Sequence, residues 1–410
     1  MSVVAAAGLD LSVPSQVAVI ASDEEAVAAA AAYADAIRPG AVARDRDAAL
    51  PFEELRELAR TGLLGIRVPR SAGGAGVSSA TVAEVFRLIA VADPAVAQIP
   101  QNHVCFVDTV IRYGSAEQRE LFLPEFLRGA RLGNALSERG GRTSRDWVTR
   151  LRPDGEGGYV LDGRKYYATG ALTAQWLPVF ALDPEERVVV AYVPREAPGV
   201  TVGQDWNAFG QRATFSGSVV LEGVRVPAAW VIADPLARGR ATTLGAFGQV
   251  MHAAVDAGIA RGALEDGVAF LRERARPWFE AGVDRAADDP HLLVLAGRLD
   301  VQVRGAEALL AAAGAALDAA DAAPADVEAV TAARLAVAAA RAACGDAALE
   351  VATAIFDFSG ASAADRDHGL DRHWRNARTH TLHDPTRSKH HHLGRHLVAG
   401  DAPPVDHPLL

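Results

Sequence analysis

Twice along its length this chain changes the period of its hydrophobic pattern. Up to about residue 131 apolar residues recur every three or four positions; from there to about residue 240 they fall in short runs of β-branched and aromatic residues; beyond that, helical spacing returns. A stretch patterned for one period cannot bury the face demanded by the other. The expected order is therefore helices, a small sheet, then helices: a mainly α fold with a central β domain. The boundaries read as an arm (residues 1–20), an N-terminal helical domain (21–131), a middle β domain (132–240) and a C-terminal helical bundle with a His/Arg-rich tail (241–410).

Local signals support each part. "SDEEAVAAAAAYADAIR" opens with a Ser/Asp cap and acids in the first turn, which suit the positive end of a helix dipole. "LPFEELRELARTGLLG" has Pro51 at a helix start and Gly62 at a stop. "VPRSAGGAGVSS" reads as a glycine-rich loop, and "SATVAEVFRLIAVAD" and "AEQRELFLPEFLRG" as further helices. "YVLDGRKYYATG", "RVVVAYVP" and "SGSVVLEGVRVP" read as strands with the alternation of an antiparallel sheet. After Leu244 come three long helices, the first ending at Pro277 and the last two separated by Pro324; their wide Ala/Leu/Val faces suit a closely packed bundle.

Composition narrows the functional classes. With half of 410 residues hydrophobic, a large core can form. A formal charge of -10 argues against general nucleic-acid binding, which needs clustered Lys and Arg. The two cysteines, Cys105 and Cys344, make neither a disulfide framework nor a CxxC metal motif, and point to a reducing cytoplasm. The N-terminus lacks a basic n-region and does not read as a signal peptide. No run approaches the roughly 18 apolar residues that span a membrane. Neither a nucleic-acid nor a membrane partner is expected.

The tail is the oddest stretch. Of the 12 histidines, His368, His373, His380, His383, His390, His391, His392 and His396 all lie within it. A metal site, an exposed basic surface and one wall of an active site are the readings available. His380 and His383 are three apart with no Glu between them, so HExxH is absent and no metal ligand set is assigned. On the active-site reading, His380 or His383 faces a substrate, while Arg375 and Arg378 make anion or inter-subunit contacts. Three further segments carry candidates. "RLGNALSERGGRTS" offers Asn134, Ser137 and Glu138 among small residues, either an ordinary polar loop or a set of donors for a flat heterocycle. "KYYATGALTAQW" ends a strand with small residues that let a ring approach the backbone. "DWNAFGQRATFSGSVV" offers Trp206 as a stacking plane or a core residue, with Thr214 and Ser216 as short donors. In "RERARPW", Arg272, Arg274 and Arg276 either complement a helix C-terminus or hold a phosphate. There is no GxGxxG fingerprint and no Walker loop.

Together these segments resemble the acyl-CoA dehydrogenase superfamily over nearly the whole chain. "LPFEELRELARTGLLGIRVP", "GRKYYATG", "GQRATFSGSVVLEGVRVP" and "DRHWRNARTHTLHDP" stand where that family keeps its recurrent motifs. "NHVCFVD", "GNALSERG", "DWNAFGQR", "AVDAGIARGALED" and "RARPW" look like a narrower branch, the sulfur-acquisition oxidoreductases and flavin monooxygenases of the dibenzothiophene-monooxygenase type. The resemblance implies the acyl-CoA dehydrogenase fold: an N-terminal helical domain, a small antiparallel β domain and a C-terminal four-helix bundle. It also implies a two-component monooxygenase that takes FMNH2 from a separate NAD(P)H:flavin reductase. Such an enzyme binds O2, forms a C4a-(hydro)peroxyflavin and oxygenates a small organosulfur or nitrogen-containing substrate, usually as a homotetramer. FAD as cofactor, and an acyl-CoA dehydrogenase-like FAD oxidoreductase, stand as alternatives. A dehydrogenase of that kind needs a carboxylate base, often Glu-Gly in the bundle; no such pair follows Leu244, and the nearest tail carboxylate is Asp384. Carried over by position, the resemblance implies that Asn134, Leu136, Ser137, Glu138, Thr169, Gly170, Trp206, Arg274, Ala361, Ser362 and His383 contact flavin. It implies catalytic roles for His103, His383, His380 and Ser137, with Arg274 on the flavin phosphate from a neighbouring subunit.

Overall fold

The structure, a computed structural model, is described for residues 9–143, 146–233 and 241–404. The N-terminal part comprises α1 (Asp23–Ile37), α2 (Ala41–Asp47), α3 (Phe52–Arg60), α4 (Ser79–Ala92), α5 (Pro94–Tyr113) and α6 (Ala116–Leu127). Local chemistry sets their ends. Ser22 caps α1 by accepting from the Glu25 N–H, and Ser115 with Gln118 forms a capping box on α6. Two helices of this part, α2 and α5, were not singled out from sequence; in α5, Pro100 interrupts the helical pattern. α5 forms because Asp93 caps it by accepting from the Ala95 and Val96 N–H groups and because its buried face is anchored on both sides. The N-terminal arm is also tied down: Gln175 Nε2 donates to Leu11 O and the Ala18 N–H to Arg60 O.

The middle part holds β1 (Arg150–Pro153), β2 (Gly158–Lys165), β3 (Trp176–Leu182), β4 (Val188–Pro194), β5 (Val200–Val202), β6 (Val219–Pro227) and β7 (Val231–Ala233), in sheet order β5-β6-β2-β1-β3-β4-β7. Every neighbouring pair is antiparallel except β1 with β3, which run parallel. The expected alternation fails in β3 and β4, which are buried along almost their whole length. The reason is a second core. Leu177, Val179, Val189 and Ala191 pack on one side; Phe180, Val190 and Tyr192 pack on the other, against Phe106, Phe122 and Phe126 of α5 and α6. A strand covered on both faces reads as a continuous apolar run. Phe122 meets Tyr192 at 4.8 Å and Trp176 edge-on at 5.5 Å, locking sheet to helices.

The C-terminal part is α7 (Leu244–Glu273), α8 (Pro290–Ala322), α9 (Val327–Ser359), α10 (Asp371–His380) and α11 (Thr386–Ala399). The helix expected to run to Pro277 stops at Glu273, because a residue preceding proline is pushed out of the α region and the chain leaves the helix earlier. α10 and α11 fold back on α7 and α9 as the fourth, broken member of the bundle. One hydrophobic core runs without interruption through α1, α4, α5, α7, α8 and α9, so the two helical parts are one packing unit. Among the described residues no helix is long and apolar enough to cross a membrane.

Candidate active site

On the sheet side, the strand ends and the following loops converge on a hydrogen-bonded chain. The Asn134 N–H donates to Thr169 O at 2.8 Å and its Nδ2 to Tyr167 O at 3.2 Å. Thr169 Oγ1 meets Ser216 Oγ at 2.7 Å, Ser216 meets Thr214 Oγ1 at 2.8 Å, and Thr214 donates to Gln211 O. Trp206 Nε1 also donates to Gln211 O, which fixes the indole plane. The Gln211 N–H then donates to Asn376 Oδ1 at 2.5 Å, carrying the chain across to α10. Gly210 permits this approach: a Cβ there would sit 1.9 Å from Arg375 O. Tyr167, Gln211 and Phe215 all adopt left-handed backbone angles (φ of 59°, 50° and 47°), a concentration of strain typical of ligand sites.

Asn134, Thr169, Gly170 and Trp206 are thus brought together. The residues that complete the chain, Gln211 and Asn376, were missed; the signal was the short loop motif around Gly210 facing a polar helix. Gln211 is buried with both side-chain amide atoms unpartnered, and Thr379 Oγ1, Gln98 Oε1 and Gln249 Oε1 are buried without partners too. The Gln211 amide and the Thr379 hydroxyl, which lies beside Gly210, are partners that a flat heterocycle with donors and acceptors around its rim would take, so the residues present suit a flavin ring.

Not every expected contact survives. Glu138 is turned away from the cleft to Lys165 Nζ at 2.7 Å, Thr149 and the Val148 N–H; the fully buried ammonium needs that carboxylate, so Glu138 braces the loop instead of touching a ligand. Lys165 itself drops to about 8, because burial outweighs the pull of Glu138. Leu136 offers its carbonyl to the same ammonium, and the Ser137 carbonyl accepts the Tyr166 N–H. His103 is a second correction. Its Nδ1 accepts from the Leu132 N–H at 3.1 Å, leaving Nε2–H to donate to Leu64 O at 2.9 Å. Both nitrogens are committed to backbone and the ring is buried, so it stitches three segments together and is not free to handle oxygen. Burial pushes its pKa down to about 4, which keeps it neutral.

Arg274, Ala361 and Ser362 lie apart from these residues. All three are exposed at the far end of the bundle, with Arg274 Nη1 3.4 Å from His368 Nδ1. Arg274 lies 22 residues beyond His252, about 33 Å along the axis of α7. A single ligand of flavin size cannot touch both ends within one protomer.

On the helix side lies a buried polar cluster. α10 runs antiparallel to α7: His373 Nε2 is 2.8 Å from Asp266 Oδ2, and His380 Nδ1 is 2.6 Å from Asp256 Oδ1. His380 Nε2 is 3.0 Å from His252 Nδ1, and the His252 ring lies against His383 with centroids 4.0 Å apart and planes tilted by 35°. Asp256 also pairs with the buried Arg341. His380 is wholly buried with both nitrogens engaged, so it does not face a substrate as expected; His383 is the solvent-facing ring. Sequence reading missed His252, Asp256 and Arg341. The i, i+4 pair His252/Asp256, the two polar residues in an otherwise apolar run from Val250 to Ala260, was the available signal. Burial first, then the neighbouring His383 and His380, hold His252 well below its ordinary pKa. Asp384 is also occupied: Lys389 Nζ at 2.8 Å, His383 Nδ1 at 3.1 Å and Arg341 Nη2 at 3.7 Å surround it. Burial pushes its pKa up, but those three neighbours outweigh burial and hold it well below the carboxylate range. Among the described residues no group of His, Cys, Asp or Glu side chains is arranged to hold a metal ion.

Comparison with known proteins agrees with this architecture. Family models for the N-terminal, middle and C-terminal domains of acyl-CoA dehydrogenase match residues 22–130, 133–224 and 250–387. A dibenzothiophene monooxygenase of Rhodococcus erythropolis is 33% identical over 398 residues, covering 93% of this chain and 95% of the relative. A probable FMNH2-dependent monooxygenase of Pseudomonas putida is 31% identical, covering 86% and 90%. The crystal structure of TdsC from Paenibacillus sp. A11-2 with FMN and indole superposes with a TM-score of 0.86 at 30% identity, covering 94% of this chain and all of that one. This chain belongs to the acyl-CoA dehydrogenase family, in the branch that includes the dibenzothiophene monooxygenases.

Proposed function

We infer that this chain is a reduced-FMN-dependent monooxygenase, supplied with FMNH2 by a separate NAD(P)H:flavin reductase. The likeness to FMNH2-dependent and dibenzothiophene monooxygenases supports the class. The observation that carries it against a dehydrogenase is the engagement of Asp384. A base that abstracts an α-proton must be free to approach it, and Asp384 is enclosed by Lys389, Arg341 and His383. The other carboxylate of the cluster, Asp256, is held by Arg341 and His380.

Bound reduced FMN supplies the activation of O2. This chain's own residues do the rest. Asn134, Thr169 and Trp206 line the ring; the unpartnered Gln211 amide and Thr379 hydroxyl satisfy its polar rim. His383, with Asp384 on its Nδ1, positions and protonates at the solvent side of the cleft. The substrate is an organosulfur compound; the unpartnered Gln98 and Gln249 oxygens favour a small one with a donor of its own over a bare fused aromatic. The phosphate end of FMN is held by Arg274, Ala361 and Ser362 of a second subunit, which the separation of about 33 Å along α7 supports. A shared site needs at least two subunits, and a homotetramer would have a further surface to form on: α8 exposes Val294, Val301 and Leu309 with Gly297 and Gly305 between them. Both cysteines are free thiols, which suits a cytoplasmic location.

His383→Ala tests the assignment. Product formation should fall by about a hundredfold or more while FMN affinity, followed by fluorescence quenching, changes little. Wild-type turnover in that variant would remove His383 from the reaction.

A further inference from the structure

The reaction consumes FMNH2, O2 and a sulfur compound and yields FMN, water and the oxygenated product. Two electrons from the reduced flavin take one oxygen atom to water, while the other atom bonds to a sulfur lone pair. The two hydrogens leave with the water. The cleft therefore has to manage protons with groups of fixed protonation, and the His252 cluster is built for that.

Asp256 accepts from Arg341 on Oδ2, so its Oδ1 at 2.6 Å is an acceptor for His380 Nδ1–H. That leaves His380 Nε2 with a lone pair. At 3.0 Å, the atom facing it must donate, which makes His252 the Nδ1–H tautomer. His252 Nε2 is then a bare lone pair, and it takes no hydrogen bond among the described residues. The ring lies on the α7 face turned to α5: Gly248, one turn earlier, accepts from Gln101 Nε2 at 3.2 Å, and the unpartnered Gln249 oxygen stands three residues before it.

We propose that Asp256 and His380 are positioning residues that lock His252 as an uncharged hydrogen-bond acceptor, its Nε2 offered to an N–H or O–H of the molecule bound between α5 and α7. This rests on the monooxygenase reading of the same cleft. The contact with His383 then divides the labour: His252 is enclosed and accepts, while His383, with Asp384 on its Nδ1, is the ring that meets solvent. Burial, His383 from the turn beyond α10, His380 from α10 and Arg341 from α9 all keep His252 neutral; Asp384, paired with Lys389 from α11, works the other way and is outweighed.

The first test needs no flavin. Nitrogen-15 spectra of histidine-labelled protein, with His252 assigned through its variants, should show Nδ1 protonated and Nε2 bare from pH 5.5 to 8. An Nε2–H tautomer, or a ring that titrates in that range, overturns the proposal. The second test compares turnover. His252→Phe keeps the ring contact with His383 but loses the acceptor, and should lower kcat by roughly a hundredfold, the scale of one missing positioned hydrogen bond. His252→Gln, whose amide oxygen reaches where Nε2 was, should recover part of it, with FMN affinity similar in all three proteins. A wild-type kcat in His252→Phe overturns the proposal. If the wild-type protein itself fails to alter reoxidation of FMNH2, the monooxygenase reading fails instead, and the tautomer is still decided by the spectra.

Discussion

Replacing His103 by phenylalanine separates a structural histidine from a catalytic one. The ring shape and its edge contact with Phe126 are kept, but the Leu132 N–H and the Leu64 carbonyl lose their partners. Each buried polar group left unpaired costs about 1–3 kcal/mol, so the variant should be about 3 kcal/mol less stable at pH 8. The gap must also depend on pH. Wild-type His103 has a folded pKa of about 4 against 6.5 for a free histidine, so between those values the unfolded chain binds more protons. Its contribution is complete above pH 6.5 and is lost as the pH falls towards 4, by about 3 kcal/mol in total and about 2 kcal/mol by pH 5. Phenylalanine does not titrate. Urea unfolding of both proteins at pH 8 and pH 5 should therefore show the difference shrinking by about 2 kcal/mol. A difference independent of pH, or a stable variant that has lost its chemistry, would refute the structural role.

Two further outcomes follow from the geometry. Glu138→Gln strands the buried Lys165 ammonium and should lower stability by about 3 kcal/mol while leaving FMN affinity unchanged; thermal unfolding and flavin titration measure both, and a lost flavin site with normal stability would return Glu138 to the ligand contacts. Arg274→Ala and His383→Ala should each abolish product, but refolded together they should regain about a quarter of wild-type turnover, because some interfaces then combine one intact half from each variant; no recovery in mixed oligomers would mean that both residues serve the same protomer's site.

What sequence could reveal followed from how local the signal was. Ser22 marks a helix start through its bond to the Glu25 N–H and Gly62 a helix stop through its left-handed φ of 81°, and both ends lie where that local chemistry put them. β3 and β4 resisted because their pattern depends on what covers them, the aromatic cluster around Phe122, which is remote in sequence. The site divided in the same way. Asn134, Thr169 and Trp206 stand in short loop motifs, and the backbone gathers them. His252 and Arg341 sit on helices whose Ala-rich faces read as core. Only the antiparallel run of α10 along α7 turns them into partners of His380 and Asp384. The crowded tail resolves likewise: His373 and His380 are buried against α7, His383 faces solvent, and His390 and His391 are surface.

The central claim is that this chain governs the oxygen chemistry of reduced FMN. Stopped-flow mixing of the anaerobic protein–FMNH2 complex with oxygenated buffer tests it most directly. The account predicts a transient absorbance unlike either reduced or oxidised FMN, persisting longer than free FMNH2 takes to reoxidise. Reoxidation with the same time course as a protein-free control would contradict it.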